Sequence, residues 1–154
     1  MGERYIFRKV DNEIETNAPE EKRGFLHVLI SLADAYTGSG HDPASDSKNY
    51  TVDVRLENQE GTETYRISRK ENITIVSSAE QQEQQQDQKY VELGESDLYN
   101  KILEGKDVQK TSACLAMLAT ASQLEGYSRV YVDDIIIDIH NRKIYAPEGC
   151  NPRG

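Results

Sequence analysis

A chain of 154 residues has the size of one domain and can bury about two thirds of its unfolded surface, so a core needs neither metal nor disulfide. Hydrophobic residues make up 36%, tryptophan is absent and charged residues reach 29%, the composition expected of a soluble protein with a modest core and some poorly packed sequence. The formal net charge is −9, and residues 71 to 107 hold nine acids against three lysines; this balance argues against duplex nucleic acid and anionic membranes as partners, since both draw affinity from Lys and Arg.

No apolar run is long enough to span a bilayer, and Met1 to Val10 carries charges in place of an apolar signal region, which predicts a cytosolic chain. The first elements follow in order. Tyr5 to Val10 is β-prone, Asp11-Asn12 is turn chemistry, and Glu13 to Thr16 can return as a second strand. Asn17-Ala-Pro-Glu-Glu then offers an N-cap, an early proline and first-turn carboxylates. Phe25, Val28, Leu29, Leu32 and Tyr36 recur at helical spacing until Gly38 and Gly40, so a helix is expected over about 19–37.

Gly38 to Asn49 reads as a polar loop. Tyr50 to Leu56 alternates at period two with Val52, Val54 and Leu56 on one side, and Gly61 separates it from Glu63 to Ser68, a hairpin signature. Ile73 to Val76 adds a strand. Ser77 to Lys89 has six glutamines between 81 and 88 and almost nothing apolar, so a mobile loop is expected over about 77–89. Ser96 can cap a short helix ending near Leu103. A second main helix, about 107–124, carries Cys114, Leu115, Met117 and Leu118 among alanines at 113, 116, 119 and 121, which permit close packing. Cys114 and Cys150 match neither metal-ligand spacing nor a disulfide framework. A flexible tail is expected over about 147–154.

The most informative stretch is Arg129 to Tyr145. Along one straight strand Val130 and Val132 would share a side with Asp134 and Asp138, while Ile135, Ile137 and Ile139 would take the other. The apolar parity switches at Asp133-Asp134, so a bulge or a reversal is required there. Tyr131-Val-Asp-Asp134 resembles, over four residues, the tip of the palm hairpin of reverse transcriptases, whose aspartates bind catalytic metals. That palm also needs a further aspartate followed by an alanine-aromatic pair, and in Leu29 to Tyr36 the required position is Ser31. The chain is too short for fingers, palm and thumb, and the resemblance ends there.

Asp134, Asp138 and His140 are expected along one solvent-facing side, with His140-Asn-Arg-Lys143 turning the chain. No catalytic residue, metal or cofactor is assigned. His41-Asp42 follows a Gly-Ser-Gly stretch but lacks Gly-Lys-Ser/Thr, and no G-x-S-x-G elbow occurs. The expected architecture is one α+β domain over 1–154, an antiparallel meander on two main helices. The expected function is a non-enzymatic acidic interaction module, such as an inhibitor, immunity-type protein, adaptor or assembly subunit. It would bind a basic protein partner through Tyr131, Asp133, Asp134, Asp138 and His140. Two alternatives are a divalent-metal hydrolase or nuclease using Asp133, Asp134, Asp138 and His140, and a viral or phage assembly component.

Overall fold

The period-two segments become nine strands of one antiparallel sheet in this computed structural model, which describes residues 3–38, 49–79 and 90–147. The strands are β1 (Arg4–Val10), β2 (Glu13–Thr16), β3 (Tyr50–Asn58), β4 (Gly61–Lys70), β5 (Ile73–Ser78), β6 (Tyr90–Gly94), β7 (Arg129–Val132), β8 (Ile135–Asp138) and β9 (Lys143–Pro147). Three helices complete the fold: α1 (Glu20–Thr37), α2 (Glu95–Leu103) and α3 (Val108–Ala121). The sheet order is β2-β1-β5-β4-β3-β7-β8-β9-β6.

Register shows how alternation builds the core. Val52 pairs with Ile67, Ile67 with Val76 and Val76 with Tyr5, while Val54 pairs with Val132, Val132 with Ile135, Val130 with Ile137 and Ile137 with Ile144. Paired residues share a face, so these side chains form one apolar surface across the sheet. All of them are buried. The helices cover that surface: Leu26, Leu29 and Leu32 of α1 meet Cys114, Met117, Leu118 and Ala121 of α3 in the same core cluster.

Among the described residues the opposite face of the sheet is left open. It presents Arg4, Arg8, Arg55, Arg66, Lys70, Arg129 and Lys143 together with Glu13, Glu15, Asp53, Glu57, Glu92 and Asp138. Seven bases against six acids make it nearly neutral in a chain of net charge −9.

Local chemistry accounts for most boundaries. Gly38 ends α1 at φ 78, a left-handed geometry that costs glycine little. Asn17 is not the helix N-cap: Pro19 holds that place without a side-chain cap, and Asn17 instead accepts from the Ile6 amide and donates to the Arg4 carbonyl, tying the start of α1 to β1. The loop expected from Ser77 begins later, because Ser77 and Ser78 extend β5 by pairing with Arg66 and Tyr65. Residues 80–89, the glutamine-rich stretch, lie outside the described residues, as do the His41-Asp42 pair and the tail from 148.

The central hairpin supplies a stability test. Ile137 has no exposed surface and pairs with Val130 and Ile144 at the middle of the apolar face. Ile137→Ala is expected to destabilise the fold by about 2–5 kcal/mol in denaturant titration, through lost burial and the remaining cavity.

Candidate functional site

Asp133-Asp134 is a two-residue reversal, with Asp133 in the left-handed region at φ 51. The reversal explains the parity switch: it returns the chain so that Ile135 and Ile137 reach the same apolar face as Val132 and Val130. Both aspartates are built into the fold. The Asp133 amide donates to the Asp53 carbonyl at 2.9 Å, and its Oδ1 accepts from the Asp53 amide at 3.0 Å. Asp134 Oδ1 accepts from the hydroxyl of Tyr36 at 2.9 Å, which ties the hairpin tip to α1.

Nearby aspartates are equally engaged. Asp34 accepts from the Tyr50 hydroxyl at 2.6 Å and lies 3.6 Å from Arg69, and Asp53 pairs with Arg66 at 2.9 Å. Burial first, then the Asp34 charge, push the Tyr50 phenol well above its ordinary range, so it stays a donor. Tyr90 is also pushed up, by burial first and then by the Asp134 charge.

The far end of the hairpin is a separate cluster. Asp138 accepts from the Asn141 amide at 3.2 Å and from its side-chain amide at 2.8 Å, an Asx turn that carries the chain into β9. Burial raises the Asp138 carboxyl, but the Asn141 hydrogen bonds and the Arg129 charge outweigh it and hold the group below 3.8. His140 is exposed and lines a shallow hollow with Asn58, Gln59, Gly126, Tyr127 and Ser128. Tyr131 lies mid-strand on the open face, 8% exposed, with the Arg55 guanidinium 4.0 Å from its ring and its hydroxyl donating to Glu57 at 2.7 Å.

The five residues predicted to form one binding surface are therefore divided. Asp133 and Asp134 cap one end of β8 and Asp138 and His140 the other, about 13 Å apart at four residues of strand rise. Asp134 belongs to the tip and bonds toward α1, so it does not share a strand face with Asp138. Among the described residues no group of three or more His, Cys, Asp or Glu is placed to hold a metal ion. Cys114 is fully buried and disulfide-bonded, a departure from the sequence reading, which had only an isolated cysteine pair and no spacing pattern to work from. No described helix is long and apolar enough to cross a membrane.

Sequence reading missed the open face itself. Arg55, Glu57, Arg129, Ile136, Lys143 and Tyr145 become neighbours only through the pairing of β3, β7, β8 and β9. Their only local signal is the alternation of each strand, which does not show which strands pair. The chain has no significant match to any family model, to any curated protein or to any solved structure.

Two measurements test this account of the hairpin. Asp134→Ala leaves the Tyr36 hydroxyl, on a residue 2% exposed, without that acceptor and is expected to cost about 1–3 kcal/mol, whereas Asp134→Asn keeps an acceptor oxygen and should cost under about 1 kcal/mol. At the other end the folded Asp138 carboxyl titrates below its unfolded value. Its stabilisation is thus present above the unfolded pKa and lost as pH falls through the folded one. Asn141→Ala should narrow that gap, so wild type and variant should differ in thermal stability at neutral pH and converge under acid conditions.

Proposed function

We propose that this chain is a non-enzymatic interaction module whose helical side and rim bind a basic protein partner. The observation that carries the reading is the separation of charge. Of 21 acids and 15 Lys/Arg among the described residues, the open face takes six and seven, leaving 15 acids against eight bases on the helical side and rim. Glu20, Glu21, Glu104 and Glu125 are exposed members of this excess at the ends of the three helices. A field of this kind speeds encounter with an oppositely charged surface, and screening over about 8–10 Å makes the effect salt-dependent.

Apolar contact is available beside it. Phe25, Val28, Leu124 and Tyr127 line a notch between α1 and the end of α3, with Glu125 at its rim. Phe25 stacks on Tyr127 and meets Tyr65 edge-on, so these rings are preorganised. Gly24 at the same notch has nothing within 4 Å of where a Cβ would stand, and leaves room for a close approach.

The test is affinity capture at low and high salt from a lysate of the source organism, using the wild-type chain and a variant with Glu20, Glu21, Glu104 and Glu125 all changed to Gln. A basic protein retained at low salt, released as salt rises and captured about tenfold less by the variant is the expected result. Capture indifferent to both salt and these acids would overturn the reading.

A further inference from the structure

The open sheet face carries a charge pattern with a geometric property of its own. Across β3, β7, β8 and β9, register aligns Glu57, Arg129, Asp138 and Lys143 in one row, with signs that alternate from acid to base. The next row toward the hairpin tip is Arg55, Tyr131, Ile136 and Tyr145. Consider a two-fold axis parallel to the strands, midway between β7 and β8. It exchanges β3 with the second copy's β9 and β7 with its β8, and leaves height along the strands unchanged.

Under that operation an alternating row of four becomes its own complement. Glu57 faces the second copy's Lys143, and Arg129 faces its Asp138. The neighbouring row matches as well: Arg55 faces the ring of Tyr145, and Tyr131 faces Ile136. We propose that a second copy of this chain docks on the open face through this two-fold axis, giving an isologous dimer of two stacked sheets.

Charge favours this occupant. Away from the open face the described residues carry 15 acids against eight bases, so self-association through the helical side sets like charges together. The open face, with seven bases and six acids, is free of that repulsion. Tyr131 is fixed in its own chain by Arg55 and Glu57, so docking orders no further freedom at that residue. Twist between adjacent strands, about 20–25° each, turns strands far from the axis away, so contact concentrates on β3, β7, β8 and β9, which flank the axis and carry both rows. Asp138 and Tyr131 are each only 8% exposed, which leaves Glu57 and Lys143, the latter already paired in its own chain with Glu92, as the more accessible pair to test. This inference does not depend on the basic-partner reading.

Sedimentation equilibrium of the full chain, over concentrations up to about 100 µM, reads the association directly. Wild type is expected to dimerise, while Glu57→Lys and Lys143→Glu should each weaken the dimer by about tenfold or more, because each sets two like-charge pairs across the axis. An equimolar mixture of the two variants should dimerise again, since every pair at positions 57 and 143 then joins opposite signs. Circular dichroism melts of each variant establish that it is folded, and restored association on mixing cannot come from a structural defect. A monomeric wild type would overturn the proposal, as would a dimer indifferent to both substitutions or variants that stay monomeric when mixed. Wild type that remains monomeric while another protein binds in a manner sensitive to Lys143 would assign the face to that partner instead.

Discussion

The two-residue reversal at Asp133-Asp134 sets the parity of everything around it. One more or one fewer residue there would turn Ile135 and Ile137 to the open face and strip the centre of the core, because strand side chains alternate strictly. The hairpin it creates also joins the two halves of the sheet: β7 pairs with β3, and β8 passes the register to β9 and β6. Asp133 fastens the reversal to β3 through two hydrogen bonds with Asp53, and Asp134 fastens it to α1 through Tyr36. A pair of acids that could be read as metal ligands is thus occupied with backbone geometry and with a buried phenol.

That occupation bears on function. A carboxylate that accepts hydrogen bonds in the folded state has fewer lone pairs to offer a ligand, and its position is chosen by the turn. Asp53, Asp133, Asp134 and Asp138 each have such a structural partner. The described residues also form broad surfaces: an acid-rich helical layer and a nearly neutral sheet face. Under the proposed interaction role, such surfaces act through many modest contacts together.

Much of the fold was legible because its signals are local. The 3.6-residue spacing of Phe25 to Tyr36 gave α1 within a residue of its observed start, and Val52, Val54 and Leu56 gave the buried face of β3. The parity switch required a break at Asp133-Asp134, and the structure shows it to be a reversal. The candidate site was less legible for a physical reason. Placing Asp134, Asp138 and His140 on one face extends strand alternation through residues that are turns at both ends, where the period-two rule does not hold. The rows on the open face depend on pairing between Arg55 and Tyr131, 76 positions apart in sequence, and no local periodicity encodes that register.

Charge shows the same gap between sequence and space. Residues 71 to 107 look like a strongly acidic segment when counted along the chain, yet two of their glutamates take cations from outside the segment. Glu92 pairs with Lys143 and Glu95 with Arg142, and both cations arrive from the β8–β9 region. Such exposed pairs add little stability, about 0–1 kcal/mol each, but they redistribute the field. The Glu92–Lys143 pair belongs to the nearly neutral sheet face, while exposed acids such as Glu20, Glu21 and Glu125 stand near the ends of α1 and α3, so the nearly neutral surface and the acid-rich one are physically different.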